Sequence, residues 1–353
     1  MQQSQREQTR GILIGPDAYR LIAEFIGCQI DKSLNERAQH LIVGAIRHVD
    51  DFYIGVRSES DASVVLSHLR EVLLDYELQL NDPKTGILNG LSPIDDLWAQ
   101  RLRGFGVEKW GELESDKVAY LLDSSYQMSK DMGSESPLKI ALRKLDKAKV
   151  YKKDTWNIIE PKLQRIVQHF PHSIDYAVLL VAKRYAIGED LDVDGWSEVI
   201  STLIAKHSSY SHHHEIVWCL WLLFTCGLKH SKDLIERTGK LENAHIRAII
   251  IAAYGDGRCL YGPGINLGAR LPSDDQNWLS AIVSRTSGVS KAPFGGSLAP
   301  EFEHLSDRNL RLIDFEKHIE AVRVNKVRAI SRSRYGYDDD DDDVDFDIDD
   351  LEF

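Results

Sequence analysis

Cysteine is scarce. Cys28, Cys219, Cys226 and Cys259 are the only four in 353 residues, and no two of them form a Cys-x-x-Cys pair. That excludes a disulfide framework and leaves reduced, mostly buried thiols, the pattern expected of a cytoplasmic protein. Long hydrophobic runs are also missing. Nothing approaches the roughly 18 apolar residues that a membrane span requires. The opening MQQSQREQTR is polar and has no apolar core of a secretory signal, so neither membrane nor export is expected. An excess of basic charge is lacking as well, with a formal net charge of −12. Residues 338–353, however, carry eleven acids and no Lys or Arg; without them 43 basic residues face 44 acidic ones, a balance of −1. The body is therefore near neutral with a separate acidic tail, and local patches decide what it binds.

The length suggests about two domains. Residues 16–37 read as a helix, with Pro16 near its start and Leu21, Ile22, Phe25, Ile26 and Ile30 as an apolar stripe. Two strand-like runs follow, 41–49 and 52–56, with Asp50-Asp51 between them, which is a hairpin pattern. Ser58 or Ser60 is placed to cap a helix over 61–76, with Val64, Val65, Leu69, Val72 and Leu73 on its inner side. ELQLNDPKTGIL then reads as strand, turn and strand. After about residue 92 strand signals fade. Helical patterns follow at roughly 113–131, 136–150, 154–170, 173–187, 194–207, 213–226, 243–254, 273–285 and 307–332, with Gly-rich loops at 256–272 and 286–300. No fixed repeat period is visible, although irregular stacked helix pairs fit the pattern.

The strongest chemical signal is RHVDDFYIG, Arg47 to Gly55. Phosphoryl transfer with divalent ions needs carboxylates fixed close together on a rigid support, and adjacent acids on a tight hairpin provide that. Taken alone, an Asp-Asp pair between strands is a polar turn. Its flanks add to it: QTRGILIGPDAYRLIAE (Gln8 to Glu24) precedes it and LNDPKTGIL (Leu80 to Leu88) follows. In order and spacing the three segments resemble motifs of reverse transcriptases: the template- and nucleotide-holding segment, the Tyr-x-Asp-Asp metal site with His48 in place of the Tyr, and the Lys-bearing turn. The resemblance covers about residues 8–90, a quarter of the chain. The LIAE wording and helical continuation look most like the abortive-infection and defence-associated bacterial branch, which implies a role in antiviral (phage) defence.

The resemblance implies Asp50 as the main ligand of Mg²⁺ or Mn²⁺ and Asp51 as its weaker companion. It implies Lys84 near the triphosphate, assisting the leaving pyrophosphate. Gly15, Pro16, Arg47 and His48 would face nucleotide or template, Gly15 and Pro16 through close backbone approach; as a bare pattern Gly15-Pro16 is a helix start. The implied ligands are an RNA or DNA template-primer and dNTPs. The sequence departs from the family at the front. The family's further catalytic aspartate, on a strand upstream, and its fingers have no counterpart in residues 1–10. The expectation is a truncated gene product, a misplaced start, or half of a split enzyme whose separate partner polypeptide supplies fingers and upstream palm.

Residues 139–153 hold seven basic residues against one acid, Asp146. Lys139, Arg143 and Lys147 share a helical face, and with Lys144 they fall where a thumb would grip a nucleic-acid backbone. SHHHE at 211–215, with Cys219 nearby, is a poor zinc motif, because consecutive histidines radiate around a helix instead of converging. The nine apolar residues Ile216 to Phe224 read as a helix buried on nearly all sides, with Trp218 and Trp221 in the core. The acidic tail, with Val344, Phe346, Ile348, Leu351 and Phe353 spaced among its acids, cannot bury enough apolar surface to fold alone. It reads as a disordered solubilising tail or, more sharply, as a nucleic-acid mimic or docking peptide beside Arg323 to Arg334; its end faintly resembles the tip of bacterial single-strand-binding proteins.

The expected architecture is α+β: a partial reverse-transcriptase palm over 1–92, an all-α thumb-like region over 93–170, a helical C-terminal domain over 171–335 and a disordered acidic tail over 336–353. The expected function is that of an RNA-directed DNA polymerase, or a template-independent variant, as fragment or subunit. The alternative is a non-catalytic nucleic-acid-binding or scaffold protein derived from one.

Overall fold

The computed structural model describes residues 17–90, 98–109, 112–262, 264–274, 276–308 and 310–323. The chain divides into two compact units, Met1–Asp96 and Leu97–Phe353.

The first unit begins with helix α1, Asp17–Ala38, followed by strands β1, Ile42–His48, and β2, Asp51–Val56, and then helix α2, Glu59–Asp75. Ser58 caps α2, its hydroxyl accepting from the Asp61 amide at 3.1 Å. At the far end Glu77 adopts φ +58 and the Leu78 amide returns to the Leu73 carbonyl, a left-handed helix stop. Ile30, Leu34 and Ala38 of α1 pack against Val65, Leu69, Val72 and Leu73 of α2, and Phe52, Ile54 and Val56 of β2 lean on this core. Arg37 adds ion pairs to Glu71 and Asp75 across the helix pair.

Three sequence expectations are corrected in this unit. Val64 points outward, because the face of α2 set by Val65, Leu69 and Val72 turns it away from α1. The apolar stripe of α1 is covered only in its second half, and Leu21 and Phe25 lie exposed, Phe25 at 66%. Residues 78–88 are not strands: the Asn-Asp-Pro-Lys segment forms one 3₁₀ turn, Asp82–Lys84, between stretches without ladder partners. A strand forms only where a neighbour takes its hydrogen bonds, and β1 and β2 pair only with each other among the described residues.

The second unit is almost wholly helical. A short helix α3, Trp98–Gly104, leads through a small ladder of β3, Glu108–Lys109, and β4, Glu112–Leu113, into α4, Ser115–Met132, and α5, Ser136–Lys147. Next come α6, Trp156–His169; α7, Ile174–Ala186; α8, Val193–Ser208; α9, His213–Thr225; α10, Lys232–Gly239; and α11, Ala244–Gly255. These eight helices stack as pairs in two layers. In one layer α4 touches α6, α6 touches α8 and α8 touches α10; in the other α5, α7, α9 and α11 follow in the same way. The first helices of the pairs start at Ser115, Trp156, Val193 and Lys232, intervals of 41, 37 and 39 residues. The absence of a strict period in the sequence therefore hid a nearly regular stacking of helix hairpins, each burying its neighbour's open face.

The layering explains the composition. Helix α9 lies against α7, α8 and α11, so it is apolar nearly all round, as expected for Ile216 to Phe224. Glu160 of α6 fastens one pair to the next. Buried, it accepts from the Trp196 indole at 2.9 Å and from the Asp192 amide at 3.0 Å, at the start of α8.

Beyond α11 the two expected Gly-rich loops supply a short parallel ladder, β5, Leu271–Pro272, with β6, Phe294–Gly295, around α12, Trp278–Thr286. Within the described part of the helix expected over 307–332, only α14, Phe315–Arg323, is helical beyond the end of α13, Ala299–Asp307; residues 324–332 lie outside the described residues. Helix α14 returns to α7, where the Arg323 guanidinium donates to the Ala186 carbonyl at 3.1 Å. One core runs from Leu102 to Val322, so the stretches expected as thumb and C-terminal domain share a single hydrophobic interior. Among the described residues no helix is long and apolar enough to cross a membrane. The acidic tail and the basic run beyond Arg323 lie outside the described residues.

Candidate metal centre and basic helix

The β1–β2 hairpin pairs His48 with Asp51, Arg47 with Phe52, Ile46 with Tyr53 and Ala45 with Ile54. Val49 and Asp50 alone make the turn. Paired residues share a face, so Arg47, Phe52 and Ile54 look toward the helices, whereas His48, Asp51 and Ile46 look outward. Ile46 is 71% exposed and Val43 is also open. Asp50, at the second turn position, and Asp51, at the first strand position, are both exposed at the tip.

The tip is held under strain. Val49 has φ +57, a left-handed conformation that a β-branched residue rarely adopts and that costs on the order of 1–3 kcal/mol. Arg47 holds it there. Its guanidinium donates to the Val49 carbonyl at 2.7 Å, pairs with Glu24 at 2.7 Å and with Asp31 at 2.9 Å, and is nearly buried. It fits because residue 27 is glycine: a Cβ there would lie 2.6 Å from the Arg47 Cζ. The hydrogen bond from Arg47 holds the Glu24 carboxyl below its usual range, and the same bond holds the Arg47 proton more firmly than usual. Arg47 was expected to face nucleotide or template. Its guanidinium instead lies against α1, where it positions the turn.

Lys84 is exposed on the 3₁₀ turn, beside Asp82, which pairs with Arg70 at 3.1 Å. Gly15 and Pro16 lie outside the described residues. Among the described residues Asp50 and Asp51 are not joined by a third metal-ligating side chain within 4.8 Å. What the hairpin can do chemically is present two carboxylates on a clamped tip. Such a pair attracts a divalent ion but leaves most of its coordination to other ligands.

The basic stretch is partly used internally. Arg143 donates to the Tyr176 hydroxyl at 2.8 Å and lies over its ring, and Lys144 donates to the Arg103 carbonyl at 2.6 Å. Lys139 is half-buried near Asp175, whose carboxyl is pushed up by burial against the pull of that lysine. Lys147, Lys149 and Lys152 are exposed. Asp146, the one acid of the stretch, pairs at 2.5 Å with Lys183, whose side chain is 1% exposed. Its charge is thus neutralised from within, and the exposed lysines keep theirs.

Two features leave no signal in the sequence: the buried Lys183 that pairs with Asp146, and the approach of His207 and His172 to the 211–215 segment. A scan against protein-family models, a search of curated proteins and a search of solved structures each find no match for this chain.

Proposed function

We propose that the Asp50-Asp51 hairpin is the metal-holding part of a nucleotidyl-transfer centre of the reverse-transcriptase kind, and that this chain is one contributor to that centre. The observation that supports the reading is the construction of the tip: two adjacent carboxylates on a two-residue turn, strained at Val49 and clamped by Arg47 from behind. A polar turn with no task has no use for that strain, and strained backbone concentrates at functional sites. Asp50 takes the larger share of a Mg²⁺ or Mn²⁺ ion, Asp51 adds field, and Lys84 stands ready for the leaving phosphate. The remaining carboxylate comes from a further strand, for which the exposed apolar residues Val43 and Ile46 of β1 supply the landing surface. The exposed lysines 147, 149 and 152 bind the nucleic-acid backbone, and the setting is phage defence.

A second reading is that the chain binds nucleic acid without catalysis. What favours it is that, among the described residues, no third metal-ligating side chain joins Asp50 and Asp51, since a two-metal site needs more. Primer extension separates the two readings. Chain recovered from its own cells is assayed with primed RNA or DNA, dNTPs and Mg²⁺. Incorporation that Asp50→Asn abolishes supports the centre; nucleic-acid binding with no such incorporation leaves the second reading.

A further inference from the structure

Three side chains from two helices and the turn between them meet in the second unit: His207 near the end of α8, His212 in the turn, and Glu215 in the first turn of α9. One ligand atom from each lies within 4.8 Å of the others. The two Nδ1 atoms of His207 and His212 face each other at 3.0 Å. We propose that His207, His212 and Glu215 form a site for a zinc-class divalent ion, with His172 positioning the carboxylate.

The chain is bent to make this meeting. Ser211 has φ +55, a strained value for a residue that is not glycine, and the amides of Tyr210 and His212 both return to the His207 carbonyl at 3.2 Å. The reversal brings the His212 ring over His207, their centroids 5.3 Å apart. The histidine run does radiate: His214 goes to Trp218, and His212 alone turns back. The other ligands come from outside the run, which is why the run by itself looked unsuited to zinc.

The distances suit such an ion. Zinc–ligand bonds of about 2.0–2.1 Å in tetrahedral geometry put ligand atoms roughly 3.3 Å apart, close to the imidazole separation here. Two imidazoles and a carboxylate suit zinc and its neighbours, whereas Mg²⁺ prefers oxygen ligands. Glu215 is 3% exposed, and its Oε1 lies 2.9 Å from the His172 Nδ1. His172 sits in the 3₁₀ turn Pro171–Ser173 before α7, so it is the usual outer partner that orients a ligating carboxylate. His207 is 2% exposed, so packing fixes its ring, and a ligating imidazole binds as the neutral form. With a bound ion, α8, α9 and the turn ahead of α7 are tied at one point. The exposed His212 leaves the fourth position open to water.

The test uses the untagged full-length chain, stripped with EDTA and titrated with Zn²⁺ by calorimetry and with Co²⁺ by visible absorption. The site predicts one saturable ion per chain and Co²⁺ ligand-field bands. His212→Ala changes an exposed turn residue and should fold normally by circular dichroism, yet weaken binding by at least about tenfold. Glu215→Gln should do the same, and His172→Ala should cost about tenfold through the outer shell. His213→Ala and His214→Ala should bind as wild type. All variants keep the acidic tail, so its weak ion binding cancels. No stoichiometric Zn²⁺ binding by wild type, or binding that survives His212→Ala and is lost in His214→Ala, overturns the site.

Discussion

Asp146→Ala should destabilise the helical unit far more than removing its partner does. The reason is the asymmetry of burial: the Lys183 side chain is 1% exposed and that of Asp146 is 28% exposed. Losing the aspartate takes from this buried ammonium the carboxylate it holds at 2.5 Å. Breaking a buried pair from one side costs about 3–5 kcal/mol, and the partial hydration of Asp146 argues for the lower end, about 3 kcal/mol. For a unit of this size that is roughly 6–12 °C of melting temperature. Lys183→Met keeps the buried stem and leaves a carboxylate that water can reach, so it should cost only about 0–1 kcal/mol. The double variant should melt near Lys183→Met. A pH series adds a sign. In Asp146→Ala the buried Lys183 ammonium has lost this carboxylate, and burial then makes it give up its proton more readily folded than unfolded, so the unfolded chain binds more protons at alkaline pH. The deficit therefore shrinks as pH rises toward about 10. The assay is thermal melting by circular dichroism on wild type, both singles and the double. Equal melting of Asp146→Ala and wild type, or equal damage from the two singles, would refute the reasoning.

Acid should weaken the fold in a defined window. Burial lowers the proton affinity of His207 and His318, so both favour the neutral form when folded. Their contribution is whole above the unfolded value of about 6.5 and is lost as pH falls through the lower folded values. Melting in EDTA should drop below about pH 6.5, and less steeply in His318→Gln; a flat profile contradicts this. Val49→Gly should relieve strain worth about 1–2 kcal/mol against a glycine entropy cost of about 0.5–1, slowing hydrogen exchange across β1 and β2. Faster exchange would mean Val49 is not strained. Charge reversal at Lys147, Lys149 and Lys152 should weaken single-strand binding and flatten its salt dependence by roughly 2–3 contacts, read as the slope of log K against log salt. An unchanged slope would move the binding face elsewhere.

Local rules made much of the chain readable. Ser58 as a cap, the strand-like runs on either side of Asp50-Asp51, and Ile30 of the first helix stripe each act within a few residues, and their elements form as the pattern implies. Periodicity gives a face but not its neighbour, so Phe25 of the α1 stripe and Val64, expected on the inner side of α2, both lie exposed. Helices α3, α10 and α13, of seven, eight and nine residues, are too short to display a repeat. The polar contacts that fasten the helix pairs were not readable at all. Glu160 finds Trp196, Asp146 finds Lys183, and Glu215 finds His172 across more than thirty residues each. At the hairpin, the acid pair was visible in the sequence. Its mounting was not, since Arg47 looks like a template contact until Gly27 opens a slot for it.

The most direct measurement of the central claim is primer extension across a graded set of hairpin variants. Wild type, Asp50→Asn and Asp51→Asn are recovered from the protein's own cells, and wild type is also made alone in a foreign host. Each is given Mg²⁺, dNTPs and nucleic acid with and without a template. The account predicts incorporation by the native preparation, abolished by Asp50→Asn and reduced by Asp51→Asn, because the first removes the main ligand and the second mainly field. It predicts no measurable incorporation by the chain made alone. Equal incorporation by Asp50→Asn and wild type, or none from any preparation, would contradict it.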